Sequence, residues 1–342
     1  MNIAIIVDPF IPVPPQFYGG IERVIDLLIT QLLKKGHQVT LFAHKDSSVN
    51  CKLVPLKEGA GVLQTLQNIY IINNRLRKQK FDVVHSFGRL ANLLLVMPSA
   101  IPKLMTYQRE PTISQIKKAM TLSRRGTMTF TGCSNYISNQ IAPFAPVHTV
   151  YNGVDVDRYS PIKILNTDSP LIFLGRIEFI KGAHTAIEIA KRTGKKLIIA
   201  GNIDDNQRDY FDKQVKPFLD DQISYIGPVN DAQKNALLQK AMALLMPIHW
   251  NEPFGIVMIE AMACGTPVIG FRRGAVPEVV EHGKTGFVGD TIDELGEFVS
   301  QIERIDRSRV RQTVEERFSS KVIGNQYLSI YEDMHRAPKP VK

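Results

Sequence analysis

The chain has 342 residues, 44% hydrophobic and 22% charged, a length and balance suited to two globular domains. Its three cysteines lack CxxC spacing, which argues against a disulfide framework or zinc cluster and for a reducing cytosol, and the chain shows neither a signal peptide nor an apolar run long enough to span a membrane. The net charge of +9 lies in residues 1–160, with 18 Lys+Arg against 9 Asp+Glu, while the remainder balances; this leaves open a solvated basic face or an anionic partner: an acidic acceptor, a membrane surface or nucleic acid.

The predicted elements alternate from the first residues. Strand-like runs fall at 3–7, 38–43, 82–86, 103–107, 127–133 and 147–151. Several are apolar without alternation, as parallel strands buried on both faces are. Between the first two, Ile21, Val24, Ile25, Leu28, Ile29, Leu32 and Leu33 recur at helical spacing, and Gly36 suits a C′ position. Residues 103–125 hold six basic residues and one acidic. Ile113, Ile116 and Met120 with Lys117, Lys118 and Arg124 suggest a basic amphipathic helix, either solvated, acting as a lid, or lying on anionic lipid.

The stretch 152–169 is polar, holds Gly and Pro, and reads as a linker. Strand-like runs then resume at 170–175, 195–201, 223–227, 243–247 and 266–270, with helical patterns between them, and residues 319–342 read as a closing helix. Two β-α series imply two doubly wound α/β domains, 1–160 and 161–318, which bind ligands at the carboxyl ends of their strands. Two such domains facing each other form a cleft.

Three segments carry chemistry. In residues 250–270, WNEPFGIVMIEAMACGTPVIG, Glu252 lies in the loop after a strand and Glu260 in the first two turns of a helix that starts near Gly255. A helix N-terminus suits phosphate, and a carboxylate suits vicinal hydroxyls. In residues 174–182, LGRIEFIKG, Arg176 and Lys181 follow a strand and can neutralise a diphosphate, while Gly182 admits close backbone approach. In residues 17–23, FYGGIER, Gly19 and Gly20 open the first helix as a simple turn or a phosphate cradle; the absence of G-x-G-x-x-G argues against dinucleotide binding.

In this order the three segments resemble the retaining glycosyltransferases of family four, which have the GT-B fold. D-V-V-H at 82–85, N-G-V-D at 152–155, G-R-x-x-x-x-K-G at 175–182, E-P-F-G-x-x-x-x-E-A-M-A-C-G-x-P-V at 252–268 and P-E-V-V-x-x-G-x-T-G-F at 277–287 extend the likeness over nearly the whole chain. The resemblance implies that Arg176 and Lys181 hold the donor diphosphate and Glu260 the ribose. It implies that Glu252 contacts the sugar, that the N–H groups of Phe254, Gly255, Ile256 and Val257 line sugar and phosphate, and that Gly20 reaches the distal phosphate. The base then falls to backbone near Gly201, Asn202 and 226–229, the acceptor to residues 1–160, and the closing helix packs towards that N-terminal domain.

Two positions depart from the family pattern. His85 is followed by Ser86 and Phe87 rather than by a second histidine, so it reads as a satisfied strand-end histidine or as a contact to the donor sugar. Arg272, Arg273, Gly274 and Ala275 stand before P-E where Gly-Gly is usual. Asp155-Val156-Asp157 lies in the linker and reads as a turn rather than a metal-diphosphate site.

The expected activity is retaining, metal-independent transfer of a hexose from a nucleoside diphosphate sugar, a UDP-sugar first and GDP- or ADP-sugars as alternatives, to a hydroxyl of a sugar, lipid-linked or small-molecule acceptor. No cofactor or nucleic acid enters. The protein is expected in the cytoplasm, with anionic membrane contact through residues 103–125 as an open alternative. A nucleotide-sugar epimerase and a non-catalytic nucleotide-sugar binding protein are the rival readings.

Overall fold

The structure, a computed structural model, describes residues 1–15, 19–59, 61–161 and 168–336. Phe17 and Tyr18 of the Gly-Gly segment, and residues 162–167 of the 152–169 stretch, lie outside the described residues. The chain divides into two compact units, Met1–Gly153 with the segment from Ser320 onward, and Val154–Ser319.

The first unit runs β1 (Asn2–Ile6), α1 (Gly20–Lys34), β2 (Gln38–Ala43), β3 (Lys52–Pro55), α2 (Val62–Lys78), β4 (Val83–Ser86), β5 (Lys103–Tyr107), α3 (Ile113–Leu122), β6 (Met128–Gly132), α4 (Asn135–Ile141) and β7 (Val147–Thr149). Its seven strands lie in the order β3-β2-β1-β4-β5-β6-β7, every pair parallel. The second unit runs β8 (Leu171–Leu174), α5 (Ala183–Thr193), β9 (Leu197–Ala200), α6 (Arg208–Gln214), β10 (Ile223–Tyr225), α7 (Asp231–Lys240), β11 (Ala243–Met246), α8 (Ile256–Ala263), β12 (Val268–Phe271), α9 (Val276–Val279), β13 (Gly286–Gly289), α10 (Ile292–Gln301) and α11 (Arg307–Arg317). Its six strands, also all parallel, lie in the order β10-β9-β8-β11-β12-β13. Each sheet reverses its winding once, between β1 and β4 and between β8 and β11.

The last helix, α12 (Ser320–Arg336), belongs to the first unit. Its Ile323, Tyr327, Ile330 and Tyr331 enter one core with Ile25, Leu28, Ile29 and Leu32 of α1 and with β1 and β2. His85 pins this helix to the sheet. Its ring is fully buried, with Nδ1 2.6 Å from the Tyr331 hydroxyl and Nε2 2.6 Å from Thr106 Oγ1. Burial pushes its pKa down to about 3, so the ring is neutral. Both nitrogens are occupied, which makes His85 the satisfied strand-end histidine.

The helix expected from the basic stretch forms as α3, but Ile116 and Ala119 are buried and Ile113 and Met120 partly so. The fold itself uses most of that apolar stripe. Nor does the stretch after Asn152 behave throughout as a linker. Val154 N–H donates to Phe318 O at 2.9 Å, and the Arg311 guanidinium donates to Val156 O and Tyr159 O at 2.8 and 2.7 Å. These bonds strap residues 154–159 to the second unit. Asp155 accepts from Asp157 N–H at 3.3 Å and Arg158 Nε at 3.1 Å, so Asp-x-Asp is a capped turn.

Candidate functional site

In the second unit β8 and β11 are neighbours at the reversal of strand order, so the loops leaving their carboxyl ends part to opposite faces and open a crevice. Arg176 and Lys181 leave β8; Glu252 and the start of α8 follow β11. Gly182 lets the two loops touch. Its φ is +80°, and a Cβ there would lie 2.0 Å from Pro247 O. Across this approach His249 N–H donates to Ile180 O at 2.8 Å. The rings of Phe179, His184 and His249 stack with centroids 4.9, 5.0 and 5.3 Å apart, and His249 Nε2 lies 2.7 Å from Thr185 Oγ1. Burial lowers the pKa of both histidines, and for His249 the Arg273 cation adds to the effect.

That seam carries the first ion pair. Lys181 Nζ donates to Glu252 Oε2 at 2.7 Å, and Trp250 Nε1 donates to the same oxygen at 3.1 Å. The ammonium also lies 4.5 Å from the Trp250 ring centroid, within cation–π range. The Glu252 backbone is fixed from the other side by the 272–275 turn. Ala275 N–H donates to Glu252 O at 2.8 Å, and Gly274, at φ +55°, would place a Cβ 2.3 Å from that oxygen. Arg272 and Arg273 therefore lead into the seat of Glu252.

Arg176 faces Glu178, with Nη2 2.8 Å from Oε1; the approach lacks hydrogen-bond alignment, and no described residue accepts from the buried Arg176 Nε. The guanidinium is a third exposed, open enough to rotate onto an anion.

Gly255 caps α8, whose first turn leaves the N–H groups of Ile256 and Val257 without intrahelical acceptors. The Phe254 ring is buried and meets Phe318 edge-on at 6.0 Å, so only its backbone can serve a ligand. One turn further on, Glu260 is 6% exposed. Its Oε1 accepts from the Tyr159 hydroxyl at 2.9 Å and from Lys234 Nζ at 2.5 Å. Lys234, on α7, also lies 3.5 Å from Asp231. Sequence reasoning missed both Lys234 and Tyr159. One signal was available: Lys234, Leu238 and Ala241 recur at i, i+4 and i+7, and a lysine on an apolar face needs a buried partner.

The residues expected at the base edge lie at the ends of β9 and β10. Gly201 N–H donates to Gly227 O at 2.9 Å, and Ile226 is half exposed. Gly20 is the first residue of α1 and belongs to the first unit.

Residues 18–158 match the family Glycosyltransferase Family 4, and residues 157–317 match the family Glycosyl transferases group 1. The chain belongs to the group 1 glycosyltransferases. It is 24% identical to spore coat protein SA of Bacillus subtilis (strain 168), over 97% of this chain and 99% of that one. Among solved structures it is similar to AviGT4, a glycosyltransferase involved in avilamycin A biosynthesis, at 25% identity and a TM-score of 0.75, with 98% of each chain covered. HepE from Anabaena in complex with UDP and glucose shares the fold at 18% identity and a TM-score of 0.72, over 96% of this glycosyltransferase and 99% of HepE. The two sheets are thus the two Rossmann-like domains of a GT-B glycosyltransferase.

Proposed function

We propose that this glycosyltransferase moves a hexose from a nucleoside diphosphate sugar to a hydroxyl acceptor, with retention of configuration and without a metal. One observation carries the reading: Arg176 and Lys181 follow β8, Glu252 and the N-terminus of α8 with Glu260 follow the neighbouring strand β11, and Lys181 and Glu252 meet at 2.7 Å. Arg176 and Lys181 neutralise the diphosphate, aided by the N–H groups of Ile256 and Val257. Glu260 takes the ribose hydroxyls, and Glu252 the sugar. The acceptor hydroxyl attacks the anomeric carbon on the face that the diphosphate leaves. The bond to the phosphate oxygen breaks, the new C–O bond forms, and the acceptor's proton passes to the departing oxygen. Preorganised cations and N–H groups stabilise charge growing on the leaving group. A UDP-sugar is the first donor to try, since HepE, of the same fold, binds UDP and glucose.

The test is a thermal-shift screen with UDP-, GDP- and ADP-sugars, followed by transfer assays with and without EDTA and NMR of the product's anomeric centre. Stabilisation by one donor class, EDTA-resistant release of nucleoside diphosphate and an unchanged anomeric configuration are expected. If no donor stabilises the protein, the reading fails. Binding without release of nucleoside diphosphate points to a binding protein, and isomerised donor to an epimerase.

We propose further that the first unit works in the cytoplasm against an anionic membrane. No described helix is long and apolar enough to cross one. We assign the contact surface to α2 rather than to residues 103–125. Val62, Leu63, Leu66 and Tyr70 on α2 are 58–78% exposed. Val62, Leu66 and Tyr70 share one helical stripe with Arg77, and residues 62–80 carry four basic residues and no acidic one. Apolar chains that insert beside cations that meet phosphate suit an anionic bilayer. Lys117, Lys118 and Arg125, exposed around α3, can add charge alone. Flotation with phosphatidylcholine vesicles, with and without phosphatidylglycerol, is the check. Salt-sensitive binding to the anionic vesicles, lost in Leu66→Ser/Tyr70→Ser, is expected. Unchanged binding by that variant, or a dimer that hides α2, overturns the assignment.

A further inference from the structure

Glu260 is held asymmetrically. Both of its protein donors, Lys234 Nζ at 2.5 Å and the Tyr159 hydroxyl at 2.9 Å, reach Oε1. No described residue donates to Oε2. Glu260 and Lys234 are 6% and 9% exposed, so the pair is largely withdrawn from water.

A buried ion pair is a poor way to join two helices. Apolar side chains of equal volume do as well or better, because desolvation offsets most of the attraction. Here α7 is already tied to its surroundings without Lys234. Leu238 is fully buried, its carbonyl accepts from Thr266 Oγ1 at 2.6 Å, and Cys264 Sγ lies 3.3 Å from Asn235 Oδ1. Lys234 adds something different: a cation that neutralises Glu260 and fixes which carboxylate oxygen stays open. Asp231, at 3.5 Å, adds a second carboxylate beside the ammonium. Tyr159, on the stretch strapped to Arg311, completes the grip.

We infer that Lys234 is a positioning residue for nucleoside recognition, locking Glu260 through Oε1 so that Oε2 faces the vicinal hydroxyls of the donor ribose. This rests on the reading of Glu260 as the ribose acceptor. Two hydroxyls can donate to one fixed oxygen only if the carboxylate does not swing. With Lys234 gone, Glu260 rotates about its terminal torsion and loses part of its charge neutralisation, and the ribose hydroxyls lose a preset acceptor. Base, diphosphate and sugar contacts come from other residues and stay in place.

The experiment compares UDP with 2′-deoxy-UDP by titration calorimetry, or GDP with 2′-deoxy-GDP where the donor screen favours guanine. Wild type, Lys234→Met, Lys234→Arg, Tyr159→Phe and Glu260→Gln are compared. Wild type should prefer the ribonucleotide by about tenfold to a hundredfold, the loss expected when a buried acceptor misses its hydroxyl. Lys234→Met should lower ribonucleotide affinity to near the deoxy level and leave deoxynucleotide affinity within about twofold. Lys234→Arg should restore part of the preference. Tyr159→Phe, which removes the second donor to the same oxygen, should act in the same direction and less strongly, and it keeps the test alive should Lys234→Met not fold. A purely structural lysine would lower both affinities together. If Lys234→Met and Tyr159→Phe both keep the ribose preference, the inference is overturned while the ribose reading stands. If wild type shows no preference, the ribose reading falls and this inference with it.

Discussion

Glutamine at position 252 separates the roles proposed for Lys181 and Glu252. Glu252→Gln keeps the shape of the side chain and a carbonyl to accept from Trp250 Nε1, now 3.1 Å away. It removes the anion that holds Lys181 Nζ at 2.7 Å. A charge-assisted bond becomes a neutral one, a loss of about 1–2 kcal/mol in stability. For a unit the size of Val154–Ser319, that is about 2–8 °C in unfolding midpoint. Binding should move the other way. In the free protein a phosphate must draw Lys181 from Glu252; in the variant the ammonium is uncommitted, and UDP alone should bind roughly tenfold more tightly, about 1.4 kcal/mol. Transfer should nonetheless fall by about 100-fold, because the group facing the sugar is lost. Calorimetry with UDP, differential scanning fluorimetry and initial rates with the best donor supply the three readouts. A fall in UDP affinity that parallels the fall in rate would refute the division of labour. It would mean that Glu252 serves the phosphate end by holding Lys181 in place.

Other perturbations have equally definite outcomes. Gly182→Ala forces an L-residue to φ +80° and drives its Cβ to 2.0 Å from Pro247 O; the left-handed conformation alone costs about 1–2 kcal/mol, so a lowered unfolding midpoint and weakened UDP binding are expected in calorimetry. The pKa of His85 is near 3, against an ordinary value near 6.5, so between these limits only the unfolded chain takes up that proton. Stability from this group is full above about pH 6.5 and falls by about 1.4 kcal/mol per pH unit below it; the lowered pKa values of His184 and His249 act in the same direction just under pH 6.5. Urea unfolding from pH 7 to pH 4 should show the slope, and His85→Phe should flatten it while costing about 1–3 kcal/mol at pH 7 for the hydroxyl partner left at Tyr331. Ending the chain at Ser319 removes Ile323, Tyr327, Ile330 and Tyr331 from the first core; at about 1.5–3 kcal/mol each, the first unit should become protease-sensitive while Val154–Ser319 still melts cooperatively.

Most of the fold could be read from the sequence because its strands are buried on both faces. Runs such as Val39–Ala43 and Leu171–Leu174 are apolar almost without a break. The two strands not anticipated lack that signature. Lys52–Pro55 is a half-exposed edge with a lysine and a proline, and Gly286–Gly289 is half glycine. The site was legible where chemistry coincides with a strand end: Arg176, Lys181 and Glu252 all follow apolar strands. Lys234 was harder to see: its i+4 and i+7 neighbours Leu238 and Ala241 mark an apolar face, but the helix opens on a capping box at Asn230 and Gln233 among Asp231, Asn235 and Lys240, and a lysine in such company looks solvated. Tyr159 was hidden for another reason. It lies in a stretch with the composition of a linker, and only the long-range bonds from Arg311 make it part of the site.

Charge balance gives the site a common logic. Each of three cations, Arg176, Lys181 and Lys234, already has a carboxylate in the free protein: Glu178, Glu252 and Glu260. Buried or half-buried, none could wait unpaired without a large penalty. A diphosphate therefore enters by exchange, competing with Glu178 and Glu252 for Arg176 and Lys181. Glu252, backbone-locked by Gly274 and Ala275, stays where a sugar hydroxyl can replace the lost ammonium. Lys234 and Glu260 differ in kind: no phosphate is needed to satisfy Lys234, so that pair persists through binding. Arg176 and Lys181 are then the switching contacts and Lys234 the fixed one. Raised salt should accordingly weaken UDP binding through the first two, as screening predicts for partly exposed charges, and leave the ribose preference unchanged.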